Sequence, residues 1–328
     1  MKRRKRVLIL ALGILMALPG CAPSGGEVRQ RPSAMKAYPP ERYLAAQAEG
    51  ASQEEAKRRA LVELSRVFDA RVRSETMDRM GSVVRDGLEE FRQEVTSWVR
   101  VTSDVRLKGA RIAASWEEDG RYGALAVLEK QKAREEFLGR IRALDGRVQG
   151  SLAALSGTES RLMRYRTLKE VSRLWVERTV NRSRLTVLGY GTPGAPYDIE
   201  GVFRHLRSIK AGMPVYVETT GEEAGHLRES LVAALGEEGF PVATERERAS
   251  VVLTGRLDVQ GVGIEHPEWQ YARATAVVSV LDAEAGLVLG EVTESVRATH
   301  LTAREARQRA ARRAAARVTA KLMDFLEQ

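Results

Sequence analysis

A single cysteine, Cys21, supplies all the thiol chemistry of this 328-residue chain. No disulfide can staple the fold within one molecule, so burial and hydrogen bonding must hold whatever structure forms. The position of Cys21 is equally informative. Lys2, Arg3, Arg4, Lys5 and Arg6 make a basic start, an apolar run covers residues 7–18, and the segment closes Leu18-Pro19-Gly20-Cys21. A charged start, a short apolar stretch and a small residue at the cut have the layout of a secretory leader. The apolar run is too short to span a bilayer comfortably, which takes roughly 20 residues.

Leucine three residues before the cut, glycine at the cut and cysteine just after it match the lipobox of bacterial lipoprotein leaders, with Pro19 the departure. The expectation is cleavage between Gly20 and Cys21, and acylation of Cys21 by a diacylglycerol and an N-linked chain such as palmitate. One acyl chain holds a protein marginally, at about 0.8 kcal/mol per buried CH2, whereas two or three hold it durably. Ala22 instead of aspartate after the cysteine implies sorting to the periplasmic face of the outer membrane. An ordinary leader that ends beside a cysteine by chance is the alternative. Loss of residues 1–20 removes five cations and no anion, taking the formal net charge from +9 to +4. The weaker bias suits a mixed-charge surface near anionic lipid or cell wall better than a nucleic-acid binder.

The remaining residues suffice for two domains. The pattern predicts an α+β fold: two small antiparallel-sheet domains, each with a packed alanine-rich helix, joined by a helical hairpin. The boundaries read as a leader over 1–20, a lipidated tether over 21–40, an α+β domain over 41–135, a helical hairpin or linker over 136–190, and a second α+β domain over 197–328. Prolines 23, 32, 39 and 40 and glycines 25 and 26 mark the tether. In the first domain a strand is expected over 43–48, then a helix capped by Ser52 and Glu55, with Ala56, Ala60, Leu64 and Val67 as its buried stripe. Alternation over 68–74 suggests a strand, and residues 77–100 read as a helical excursion. Strands over 107–116 and 122–128 meet at a Glu118-Asp119-Gly120 turn. Residues 130–181 read as helical, broken near Gly150 and Ser156-Gly157, with a coiled-coil interaction arm as the functional alternative. Strands are expected at 214–218, 240–244, 251–257, 271–281 and 287–297, with a helix over 222–236. A last helix starts at Thr302, capped with Glu305.

Gly50, Ser52, Glu55, Ala56, Ala60, Leu61, Leu64, Val67 and Phe68, followed by Leu107-Lys108-Gly109 and Trp116-Glu117-Glu118-Asp119-Gly120-Arg121-Tyr122, carry a resemblance to the LPP twenty family of bacterial lipoproteins. The resemblance covers about residues 40–140, and it departs at Gln47-Ala48-Glu49-Gly50, where members often have a Gly-x-Gly stretch. The C-terminal half loosely resembles periplasmic domains of envelope-assembly lipoproteins and flagellar ring proteins, through Val215-Tyr216-Val217, Leu253-Thr254-Gly255 and residues 274–281. These resemblances imply a non-catalytic outer-membrane lipoprotein that scaffolds an envelope or flagellar assembly.

The residues offer little catalytic chemistry. His205, His226, His266 and His300 lack metal-ligand spacing, and Glu265-His266-Pro267-Glu268 reads as a turn. Ser156 and Ser183 lack a nucleophile elbow, and acylation removes Cys21 as a nucleophile. Gly261-Val262-Gly263 lacks the rest of a phosphate-binding fingerprint. The expectation is no enzyme, no metal and no cofactor. Basic clusters remain at Lys57-Arg58-Arg59 and at Arg304, Arg307, Arg309, Arg312, Arg313 and Arg317, the latter spread over several helix faces. Trp269 and Tyr271 fit an exposed aromatic patch or strand core equally. The leading expectation is a scaffold with an envelope protein partner; the alternatives are a peptidoglycan- or glycolipid-binding module and, last, a hydrolase. Cys21→Ser should abolish acylation and leave the protein uncleaved or soluble. Processing and detergent-resistant membrane association that persist in this variant, followed by fractionation and intact mass, would contradict the lipid anchor.

Overall fold

The computed structural model describes residues 35–85, 96–97, 107–263 and 268–327. The leader, Gly20, Cys21 and most of the tether lie outside the described residues.

Strands β1 (Tyr43–Gly50), β2 (Arg111–Glu118) and β3 (Arg121–Glu129) form an antiparallel sheet in the order β1-β3-β2. Central β3 pairs Glu129 with Tyr43 on one side and Arg121 with Glu118 on the other. Its residues 123–128 are buried on both faces, which is why they read as a continuous apolar run and not as an alternation. The β2–β3 hairpin turns at Asp119-Gly120, with φ of 50° and 71°. Both central residues take the left-handed conformation that matches strand twist, and glycine reaches it without steric cost. Residues 107–110 are a turn leading into β2 and not its first half.

Helix α1 (Gln53–Arg85) is capped largely as its sequence predicts. The Ser52 hydroxyl accepts from the Glu55 amide at 3.3 Å, while the Glu55 carboxylate reaches back to the Ala51 amide at 2.9 Å. Ala56, Ala60, Leu64, Phe68, Val72, Thr76 and Met80 are all buried. A four-residue repeat advances about 40° around a 3.6-residue helix at each step. The buried stripe therefore winds: Ala56 to Val72 face the first core, and Met80 joins the second. Two expectations are corrected here. Phe68, not half-buried Val67, continues the stripe, and residues 68–74 are helix because Phe68 and Val72 share one line while Ala70 and Ser74 point to solvent. The excursion expected over 77–100 is continuous helix as far as Arg85; most of its remainder lies outside the described residues.

Helix α2 (Lys130–Ala154) leaves β3 without a loop, passes Gly150 unbroken, and reverses through a 3-10 turn at Leu155–Gly157 into α3 (Arg161–Val187). The Ser160 hydroxyl caps α3 by accepting from the Met163 amide at 3.1 Å. Sixteen residues of α3 are buried, including Lys169, Arg178, Asn181 and Arg184. It is an axial helix, and its apolar stripe is only part of what it buries. Helix α4 (Ile199–Ala211), which the sequence reading did not foresee, follows a loop over 188–198. Asp198 caps it through the Gly201 amide at 2.9 Å, and Val202, Phe203, Leu206 and Ile209 are buried.

The second sheet runs β4 (Val215–Thr220), β5 (Val251–Gly261), β6 (Gln270–Asp282) and β7 (Leu287–His300) in that order. β5, β6 and β7 are antiparallel, as expected, but β4 lies parallel to β5. The crossover through α5 (Ala224–Glu237) returns the chain in its original direction, which a parallel pair requires. Residues 240–244 contribute only one bridge, between Val215 and Val242, and not a strand. Helix α6 (Ala303–Glu327) packs on this sheet through Ala306, Ala310, Ala314, Val318 and Leu322, and its short side chains permit close approach. The opposite face of the sheet carries Thr254, Arg256, Arg273, Glu291 and Thr293. The architecture is thus α+β, with two separate sheets linked by α1, α2 and α3.

Gly221, between β4 and α5, has φ of 110°, and a Cβ there would lie 2.2 Å from the Leu257 carbonyl oxygen. Gly221→Ala should cost roughly 2–4 kcal/mol of stability, from backbone strain and the collision together. Gly286, also at positive φ but in open space, should cost about 1 kcal/mol as alanine. Urea denaturation of both variants checks this; equal losses would refute the close approach at Gly221.

Candidate functional site

The lipidation and cleavage residues, Cys21 and Gly20, lie outside the described residues, as do Glu265, His266 and Pro267. The other histidines are far apart in the fold. His205 is exposed on α4, His226 stands 3.5 Å from Glu223 at the start of α5, and His300 pairs with Glu305 at the start of α6. Among the described residues, no group of three or more His, Cys, Asp or Glu could hold a metal ion, and no helix is long and apolar enough to cross a membrane. Trp269 is exposed and Tyr271 half-buried at the start of β6. The Lys57-Arg58-Arg59 cluster is largely neutralised by the acids that cap α1: Lys57 meets Glu54 at 2.8 Å and Arg59 meets Glu55 at 2.6 Å.

What the structure does assemble is a pair of buried polar junctions. At the first, Arg178 of α3 is wholly buried, and its Nε lies 2.5 Å from Asp145 of α2. Its Nη2 donates to the other Asp145 oxygen at 3.2 Å and to the Gly194 carbonyl at 2.6 Å. One turn on, Arg182 donates to the Thr192 hydroxyl at 3.3 Å. Burial lowers the Arg182 pKa, and neighbouring Arg79 and Arg178 lower it further. Burial likewise raises the pKa of the Tyr197 phenol in the same loop. Among the described residues, Arg178 Nη1 and Arg182 Nε have no hydrogen-bond partner. The junction clamps the 188–198 loop onto the hairpin. Nothing in the one-dimensional pattern marks Arg178 as buried.

The second junction joins the hairpin to the second sheet. Ser160 donates to Asp282, both buried, and the other Asp282 oxygen accepts the Glu284 and Ala285 amides at 3.1 and 3.0 Å. Arg161 pairs with Glu284 at 2.7 Å and donates to the Ser250 hydroxyl at 3.0 Å. Both junctions are structural ties, because each polar group is already engaged by a fixed neighbour or enclosed by the fold.

Two surfaces remain open to a partner. A groove of about 940 Å³ lies along the outer side of α1, lined by Leu61, Val62, Leu107 and Ile112 with Arg58 and Arg73. Beside it, Arg66 holds Glu63 at 2.8 Å, and that hydrogen bond keeps the Glu63 carboxyl below the usual carboxylate range. The second surface is the outward side of α6. Arg309, Arg312, Arg313 and Arg317 are exposed and fall within an arc of about 140° at 100° per residue. The six arginines together spread over several faces, as expected, but these four share one side. Only Arg304 and Arg307 lie elsewhere, and Arg307 is taken by Glu222. A shallower groove of about 400 Å³ between this side of α6 and β7 is lined by Ser295, Val296, Arg297, Arg313, Ala316 and Arg317. Sequence reasoning missed Arg297, since only sheet register brings it near the helix.

No family model matches the chain, so the LPP twenty resemblance rests on the quoted motifs alone. No curated protein matches either. Several solved structures are similar. One described as a lipoprotein of Caulobacter crescentus is 26% identical, with a TM-score of 0.26 over 34% of this chain and 87% of that one. A secreted protein of Helicobacter pylori is 12% identical, with a TM-score of 0.44 over 87% of this chain and 96% of that one. A minor lipoprotein of Acinetobacter baumannii is 10% identical, with a TM-score of 0.28 over 35% of this chain and 91% of that one. These three are described as lipoproteins or secreted proteins, and none by an enzymatic activity. All three scores fall below one half, so the functional reading draws nothing from the likeness.

The first junction makes a sharp prediction. Asp145→Ala leaves the buried Arg178 guanidinium without its counter-charge and should cost roughly 3–5 kcal/mol. The pairing Asp145→Leu with Arg178→Met should recover most of that loss. Chemical denaturation of the single and double variants measures it; a single variant as stable as the parent would show that Arg178 does not depend on Asp145.

Proposed function

We propose that this chain is a lipid-anchored, non-catalytic protein of the outer membrane, whose periplasmic body binds another envelope component. The observation that carries the reading is the order of a basic start, an apolar run and Leu18-Pro19-Gly20-Cys21, with the only thiol of the chain placed where a lipobox needs it. Two acyl chains or more would make attachment durable. The body adds rigidity, because α1 and α3 each contribute to both hydrophobic cores, so a surface on either sheet would be presented in a fixed relation to the other. The grooves along α1 and between α6 and β7 are surface features and not enclosed cavities, which suits contact with a macromolecule better than turnover of a small substrate.

Cross-linking in intact cells followed by mass spectrometry, beside sedimentation with purified sacculi, tests the proposal. A scaffold returns the same protein partner repeatedly and stays in the supernatant. Pelleting with sacculi would replace the protein partner by cell wall. Recovery of neither a partner nor a wall complex would count against any interaction role.

A further inference from the structure

Among the described residues, no ion pair with an acid engages the arginines that line the α6–β7 groove. Several charged side chains of α1 and α2 sit in ion pairs one turn apart, such as Arg79 with Glu75 at 2.7 Å and Arg140 with Glu136 at 2.5 Å. On α6, Lys321 is engaged by Glu294 and Arg307 by Glu222. Arg309, Arg313 and Arg317 make no ion pair and are exposed. They follow one another at four-residue spacing, about 6 Å apart along the helix. The register of the sheet adds to the excess: Arg297 of β7 lies directly opposite Arg273 of β6, both exposed and neither paired with an acid. Like charges directly opposed across strands repel, so this pairing is unfavourable until an anion comes between or beside them. Glu229, on α5, stands beside Arg312 on the far flank and leaves the groove itself uncompensated.

The geometry points to a docking surface for anionic lipid headgroups, formed by Arg297, Arg309, Arg313 and Arg317. Guanidinium groups bind phosphate through two parallel hydrogen bonds, which suits phosphodiester headgroups. The surface favours a lipid sheet over a protein partner for two reasons. Between its arginines it presents Ala316 and Ala320, which leave the charges accessible from outside. None of the exposed large apolar side chains of the body lies on this arc of α6, whereas protein interfaces are anchored by aromatic and large apolar residues. The inference extends the anchoring proposal, which would keep the body near a membrane, but the charge arrangement stands without it.

The full chain, reconstituted in lipid discs, tests this surface. Ala316 is exposed, so Ala316→Cys accepts a polarity-sensitive fluorophore beside the arginines. The label should shift to the blue in discs containing a third phosphatidylglycerol, stay unshifted in purely phosphatidylcholine discs, and lose the shift in high salt. Each arginine near an anionic surface strengthens partitioning about fivefold, so Arg313→Glu with Arg317→Glu should weaken docking at least tenfold, while lysine at both positions retains most of it. Circular dichroism of the variants confirms that the exposed substitutions leave the fold intact. Identical spectra on both disc types would overturn the inference. So would an equal shift with inorganic phosphate or an acidic peptide on phosphatidylcholine discs, since the site would then serve a free anion or a protein. A chain that fails to co-elute with discs counts against the Cys21 anchor and not against this surface; the label is then read on added phosphatidylglycerol vesicles, with the same two outcomes.

Discussion

The body of this protein depends on a charge held where water cannot reach it. Arg178 is buried at the centre of α3, and an unpaired guanidinium there would cost several kcal/mol. The fork onto Asp145 and the carbonyl of Gly194 answers that cost and also sets position. Apolar contacts between helices tolerate sliding because the hydrophobic effect has no direction. A guanidinium–carboxylate fork does not, because its hydrogen bonds are short and oriented. α2, α3 and the loop into α4 are therefore locked in one register.

That register is what unites the two sheets. Leu162, Leu168 and Trp175 of α3 belong to the core under the second sheet, while Val180 and Leu185 belong to the core under the first. α1 does the same by winding its buried stripe from Ala56 to Met80. The Ser160–Asp282 contact then ties the start of α3 to the end of β6. Two small sheets share three long helices, because α1, α2 and α3 each contribute side chains to both cores. With no disulfide available, such sharing is how a body of this kind gains stiffness.

Stiffness bears on function because the chemistry of this chain lies at its surface. The polar groups of the interior are spent on structure. The surface carries a groove along α1 and an arginine face on α6, placed on opposite units of one rigid frame. The proposed role, action by position and contact, draws on this frame, which holds both surfaces steady.

Local signals survived the passage from sequence to structure, and long-range ones did not. The Asp119-Gly120 turn, the Ser52 and Thr302 caps, and the strands of the second sheet each arise from a few neighbouring residues whose conformational preferences agree. Tertiary packing decided the rest. It kept residues 68–74 helical, because a line of contacts to the first sheet outweighed a short alternation. It turned β4 parallel through the α5 crossover, and it buried Lys169, Arg178 and Arg184 on an axial helix where composition alone suggests solvent. It also gathered Arg309, Arg313 and Arg317 beside Arg297, because only the alanine seam of α6 determines which side of that helix faces out. The sequence by itself determined where the chain turns and caps its helices; which charges are buried and which are displayed depended on contacts between residues far apart in the chain.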